Sequence, residues 1–267
     1  MLDNYILNTN EVHIWIIKIP FVYFNIDFYS SVSSDFKLNL KHFSFIKDFN
    51  KLLINEKDIK KGLSFYQTKD QISSLISKYS LRFLLNNYLN LNFKNYDFEF
   101  NKYSKPFIPN FINALNLQYN LSHSGEYLLI SLNCYDNIGI DIEFMNKKIE
   151  IECLKDQFFS KYELDIWKTL KEDEKIEYFY KVWACKESIL KGIGMGFSYL
   201  PSNISFEFSP DNNGKIIQSS VCHEESDFDQ WKTKLFKIDN NYQSAFSVRK
   251  NTFHVKYINW DWDKILI

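Results

Sequence analysis

"LQYNLSHSGEYLLISLNCYDNIGIDIEFM", residues 117–145, holds two runs rich in Leu, Ile and Tyr separated by "NCYDN", whose Asn and Asp residues favour a turn. The spacing predicts a β-hairpin. In its second arm, "NIGIDIEF" (137–144), a side-chain period of two sends Ile138, Ile140 and Ile142 to one face and Gly139, Asp141 and Glu143 to the other. The isoleucines call for a core. The carboxylates stand about 6 to 7 Å apart at the backbone, beside a glycine expected to leave open space. Like charges that close repel, so the pair is comfortable with a cation between them. Oxygen ligands suit Mg²⁺, which keeps waters and binds substrate phosphates as well. Taken alone, an Asp-x-Glu on a strand is more often a solvent-facing edge.

Working outward, "EVHIWIIKI" (11–19) is a short β-branched run and reads as a first strand. From Asn55 to Leu91 the period changes: Phe65, Ile72, Leu75, Ile76, Tyr79, Phe83 and Leu84 are spaced by threes and fours, which predicts one or two helices. "DFEFNKYSKPFIP" (97–109) reads as a strand leading into a loop made extended by Pro106 and Pro109. Downstream, a helical region runs from Asp156 through Lys191 with a break near "KEDEK". Strand-like runs follow: "NISFEF", a turn at "PDNNG", then "KIIQ", "KTKLFKI", "YQSAFSVR" and "FHVKYINW". Strands, helices and strands thus occur twice. The order predicts two similar α+β halves joined near residues 133–138.

The 267 residues can bury a sizeable core; 45% are hydrophobic and 24% charged, as in a soluble globular protein. With Phe 25, Tyr 17 and Gly 7, the core is expected to be packed with rings. A net charge of −1 gives no global footprint for nucleic acid, so an anionic ligand must be met by a local cluster. Cys134, Cys153, Cys185 and Cys222 show neither a CxxC pair nor metal-type His spacing, which predicts reduced thiols. No basic region leads into an apolar run at the N-terminus, and nowhere do 18 apolar residues follow one another. A cytoplasmic protein, with neither membrane nor nucleic-acid partners, is expected.

"WACKESILK" (183–191) carries Lys186, Glu187 and Lys191 in aromatic and aliphatic surroundings. On a helix Trp183, Glu187 and Lys191 form one stripe at i, i+4 and i+8. By itself this is a solvated face with one Glu187–Lys191 pair. Together with the strand, Asp141, Glu143 and Glu187 make a plausible cation site, and the two lysines beside it could neutralise phosphate oxygens. Upstream, "NLSHSG" adds Ser122 and His123, and "KYSKP" adds Lys102 and Lys105. A lone His near a strand start is more often structural.

In order, "SKPFIP", "YNLSHSG", "IGIDIE", "FFSKYE" and "WACKESILK" resemble the motifs of the Sfp-type 4'-phosphopantetheinyl transferases, whose pattern reads GKP, FNxSHS, GxDxE and WxxKESxxK. The likeness extends over about residues 50 to 260, and its last motif matches the KES subgroup letter for letter at Lys186, Glu187 and Ser188. It implies a pseudo-dimer of two α+β halves, residues 1–135 and 136–267, with coenzyme A in the cleft between them. It implies transfer of 4'-phosphopantetheine from CoA to a serine of an apo acyl or peptidyl carrier protein, releasing 3',5'-ADP, by a monomeric, Mg²⁺-dependent enzyme. By the resemblance, Asp141, Glu143 and Glu187 hold the Mg²⁺. Catalysis falls to Glu187, Lys191 and Glu143. Lys105, Ser122, His123, Lys186, Lys191 and Lys61 meet CoA, and Glu163 matches an acid near the acceptor serine.

Two departures stand out. Ser104 replaces a usual glycine, and Ser73 and Ser74 stand where many relatives carry a basic residue followed by a small hydroxyl residue. Lys57, Lys60 and Lys61 lie nearby and are candidates to compensate. Two other functions use the same residues. A metal-dependent nuclease would add a Glu-x-Lys on the second strand and a basic surface, but Glu143 is followed by Phe144 and Met145. A noncatalytic CoA-binding relative would be expected to have lost some of Asp141, Glu143, Glu187 and Lys191.

Overall fold

The computed structural model describes residues 6–26, 37–46, 54–148, 150–195, 198–208, 213–219, 230–249 and 253–264. The first β-branched run forms β1 (Glu11–Lys18). The change of period after Asn55 appears as α1 (Glu56–Leu63) and α2 (Thr68–Leu89). Asn55 caps α1 by accepting from the Asp58 amide, and α2 stops at Asn90, which adopts a left-handed φ of 51°. "FEFNKYSKPF" is a tight ribbon, β2 (Glu99–Phe100) paired with β3 (Pro106–Phe107), where a strand and a loop were expected.

Strands β4 (Leu117–Ser124) and β5 (Tyr127–Cys134) pair antiparallel, and β6 (Ile138–Phe144) follows. Helices α3 (Ile151–Phe158), α4 (Lys161–Trp167) and α5 (Glu172–Ile193) come next. The chain then adds β7 (Ile204–Phe208), β8 (Asn213–Ser219), β9 (Trp231–Phe236), β10 (Tyr242–Arg249) and β11 (His254–Asn259). The turn expected at "PDNNG" lies largely outside the described residues.

The hairpin predicted across "NCYDN" is corrected. The hairpin turn is at Gly125, whose φ of +58° is left-handed, while β6 leaves β5 and pairs with β10 in a second sheet. "NCYDN" does turn the chain, with the Asn133 side chain accepting from the Asp136 amide, but it turns it from one sheet to the other. The reason lies in burial. Ile138, Ile140 and Ile142 pack on the face formed by Val12, Ile14 and Leu129, so β6 stacks against the first sheet instead of extending it.

The first sheet runs β11-β1-β5-β4, with β1 parallel to β11, and the second runs β6-β10-β9-β8-β7. Period two sorts every inner strand. On β1, Trp15 and Ile17 join Ile72, Leu75, Ile76 and Tyr79 of α2, while Val12 and Ile14 face the second sheet. On β10, Tyr242, Phe246 and Val248 face the first sheet and Ala245 faces α5. The result is α2, sheet, sheet, α5, an α+β architecture in which strands covered on both faces read as nearly continuous apolar runs. Each fully buried Ile or Leu contributes about 1.5 to 3 kcal/mol. The chain changes sheet between Cys134 and Ile138, and β11 returns to the first sheet to tie the chain's last strand to its first.

Candidate active site

The site forms where β6 meets α5. The glycine expected to leave open space does the opposite: a Cβ on Gly139 would lie 1.9 Å from the Ser188 carbonyl and 2.4 Å from the Gly192 nitrogen. Without side chains there, helix and strand backbones touch, and Asp141 and Glu143 are carried beneath the Trp183–Glu187–Lys191 stripe. The stripe, which taken alone would be a solvated face, is half-buried over β6. Lys191 reaches across to Asp141 Oδ1 at 2.5 Å, where a pair with Glu187 was expected, and Trp183 Nε1 donates to Glu143 Oε1 at 3.1 Å.

From the first sheet, β4 contributes Asn120, Ser122 and Ser124, three polar residues at period two. Asn120 Oδ1 accepts from the Ile140 amide at 3.0 Å, and Ser124 Oγ accepts from the Phe144 amide at 2.9 Å. Ser122 Oγ donates to Asp141 Oδ1 at 2.9 Å and accepts from Lys191 Nζ at 3.0 Å; Ser124 Oγ donates to Glu143 Oε2 at 3.2 Å. Asn120 and Ser124 were not singled out from sequence, and Trp183 was read as part of the helix stripe without a partner in the site. The alternation in "YNLSHS" was the available signal for the first two.

The electrostatics are those of crowded carboxyls short of positive charge. Burial, together with the Asp141 charge, pushes Glu143 up to about 8. Burial pushes Glu187 up to about 7 against the pull of Lys191. Asp141 is also raised by burial although Lys191 and Ser122 oppose it. Burial would lower the Lys191 ammonium, but Asp141, Glu187 and Glu143 hold it above its usual value. Two buried oxygens, Asp141 Oδ2 and Glu187 Oε1, have no hydrogen-bond partner. A hard cation would relieve both conditions. Among the described residues, no three His, Cys, Asp or Glu side chains are already arranged as a metal's ligands; in this state Lys191 supplies the positive charge.

Of the other expected residues, His123 is exposed on β4, within electrostatic reach of Lys191 and of Asp70 on α2. Lys105 is half-buried, and its Nζ donates to Gly192 O at 2.6 Å and Ile138 O at 3.4 Å. Two lysines stay out of the cluster. Lys61 lies exposed in the last turn of α1. Lys186 is completely buried, donating to Glu163 Oε2 at 2.5 Å and Phe158 O at 2.7 Å. Burial pushes its ammonium down to about 8 despite Glu163 beside it. Glu163, also 0% exposed, is an interior residue and not a surface acid beside an acceptor. "SKYE" is a capping box for α4, with Ser160 Oγ accepting from the Glu163 amide and Glu163 Oε2 accepting from the Ser160 amide.

Residues 137–247 match the family model described as the 4'-phosphopantetheinyl transferase superfamily, and residues 46–134 match that of the 4'-phosphopantetheinyl transferase N-terminal region. The 4'-phosphopantetheinyl transferase ffp of Bacillus subtilis is 31% identical over 189 residues, 71% of this chain and 79% of the relative. The chain belongs to the 4'-phosphopantetheinyl transferase family. A second transferase of Bacillus subtilis, Sfp, is 31% identical over 68% of this chain and 75% of its own, and HetI of Nostoc sp. is 30% identical over 51% and 57%. This transferase therefore moves phosphopantetheine onto carrier proteins, which removes the nuclease and noncatalytic alternatives. Among its described residues no helix is long and apolar enough to cross a membrane.

Proposed function

We propose that the transferase takes 4'-phosphopantetheine from CoA in the cleft between β4, β6 and α5 and passes it to the serine of an apo acyl or peptidyl carrier protein. The observation that supports this reading is the convergence of Asp141, Glu143, Glu187 and Lys191, with Asp141 Oδ2 and Glu187 Oε1 left without partners. Asp141, Glu143 and Glu187 would hold a divalent cation such as Mg²⁺, which when bound offsets charge on the pyrophosphate.

The protein's own groups do the rest. Glu187, directly or through a water, would take the proton of the carrier serine. The serine oxygen forms a bond to the β-phosphorus of CoA, and the bond from that phosphorus to the bridging oxygen breaks, releasing 3',5'-ADP. Lys191 gives its charge to the pyrophosphate oxygens as they become more negative. Lys105 spends two of three donors on carbonyls and keeps one for the adenosine 3'-phosphate, near Ser122 and His123. The enzyme works as a monomer in the cytoplasm, a compartment that suits the free thiols Cys134, Cys153 and Cys185.

The test is incubation with CoA, Mg²⁺ and a panel of apo carrier proteins, each product being weighed by mass spectrometry. A mass gain of one phosphopantetheine on at least one carrier, abolished by chelator, is expected. Transfer undiminished by chelator would remove the cation from this reading, and no transfer from CoA would remove the donor.

A further inference from the structure

We infer that the buried pair Lys186–Glu163 is a positioning device that aims the Trp183 indole at Glu143. The inference rests on the proposed role of Glu143 in the site.

The connection can be followed contact by contact. Glu163 has both oxygens engaged: Oε2 by the Ser160 amide and Lys186 Nζ, and Oε1 by the Phe206 amide at 2.9 Å. It therefore pins α4, α5 and β7 together. Lys186 also donates to the carbonyl of Phe158, the last residue of α3, and so ties that helix end to α5. The Phe158 ring then lies flat on Trp183, with centroids 4.2 Å apart and planes 7° from parallel. A stacked indole cannot tilt freely, and its N–H points at Glu143 Oε1. Ser124 holds the second oxygen of the same carboxyl from the opposite sheet.

Stability alone does not require this arrangement. Two charges with side chains at 0% exposure have a large desolvation cost, and apolar residues of the same volume usually serve a core as well. What apolar residues cannot do is fix the Phe158 carbonyl and the α4 amide in a directed way. Glu143 receives one donor on each oxygen, Trp183 Nε1 on Oε1 and Ser124 Oγ on Oε2, so the aim of its carboxyl depends on donors held in place. The three residues Lys186, Phe158 and Trp183 act through Glu143 and touch no substrate themselves.

Trp183→Phe keeps an aromatic ring on Phe158 and removes only the N–H. The expected result is a fall in kcat of about tenfold or more, the usual effect of losing a hydrogen bond to a charged group, with KM for CoA within about twofold and the melting temperature nearly unchanged. Lys186→Met alone would strand a buried carboxylate, so it is combined with Glu163→Gln. Per folded enzyme, this neutral pair is expected to lose kcat as Trp183→Phe does, and adding Trp183→Phe to it to cost nothing further. If the neutral pair does not fold, Phe158→Leu, which removes the ring and keeps the carbonyl, takes its place in the cycle. Wild-type kcat in Trp183→Phe, or losses that multiply, would overturn the inference. Glu143→Gln separates the two readings: if it transfers normally, the role of Glu143 fails; if it is inactive while Trp183→Phe is normal, only the positioning fails.

Discussion

Gly139 of β6 and Gly192 of α5 meet backbone to backbone, and Gly192 also rests on the Trp231 ring of β9, in the same sheet as β6, which would stand 2.5 Å from an added Cβ. Helix α5 can therefore approach β6 no further, and the closeness that lets Lys191 reach Asp141 depends on two missing side chains. Gly139→Ala is expected to destabilise by about 1 to 3 kcal/mol, the usual range for overpacking. Transfer should fall further than the folded fraction does, because Glu187 and Lys191 are displaced together. Calorimetry and carrier loading on the same sample check this; normal melting and loading would show that α5 is placed by something else.

Glu187→Gln keeps the shape of a side chain whose carboxylate is disfavoured by burial and whose Oε1 has no partner. Transfer should be nearly abolished while the melting temperature holds or rises, since an uncompensated buried charge has been removed. A clear drop in melting temperature would mean that Glu187 stabilises the fold.

Lys105, in the turn between β2 and β3, latches onto the end of α5 through Gly192 O, beside Asn101, which donates to Gly194 O at 3.0 Å. Burial lowers its ammonium from 10.5 to about 8. Between those values the unfolded chain holds a proton that the folded chain has released, so this group's contribution to stability becomes more favourable as pH rises through that window. The melting temperature of wild type minus that of Lys105→Met should therefore increase from pH 8 to pH 10. A flat difference would show that the ammonium is not desolvated.

Ser104, which the family resemblance sets against a glycine, adopts a φ of 67°. A left-handed residue with a Cβ costs about 1 to 2 kcal/mol, so Ser104→Gly is expected to stabilise by about 1 kcal/mol, read as a shift in the urea midpoint without a change in slope. No shift would mean that the Ser104 side chain offsets the cost.

Ser73, the position read as a lost phosphate contact, is 5% exposed and its carbonyl accepts from Ser77 Oγ. Ser73→Arg should therefore destabilise by about 2 kcal/mol or more by burying an unpaired charge, and should not improve discrimination between CoA and its dephospho form. A stable variant with sharper discrimination would place residue 73 at the phosphate after all.

Periodicity in the sequence was enough for the local elements: the alternation of "IGIDIEF" put isoleucines and carboxylates on opposite faces of β6, and the i, i+4, i+8 stripe put Trp183, Glu187 and Lys191 together on α5. Those are properties of one strand and one helix, and backbone geometry decides them. What faces each stripe is a property of two elements, and only the tertiary structure decided it. Lys186 looked like a second phosphate lysine because it sits three residues after Trp183, yet it turns inward to Glu163, 23 residues away. Gly139 looked like open space because no sequence shows which backbone will press against it. The hairpin turn was misplaced because two favourable turns, at Gly125 and at Asn133–Asn137, compete in one apolar run. The choice between them came from where three isoleucines find a core, which is a long-range burial energy that no local pattern carries.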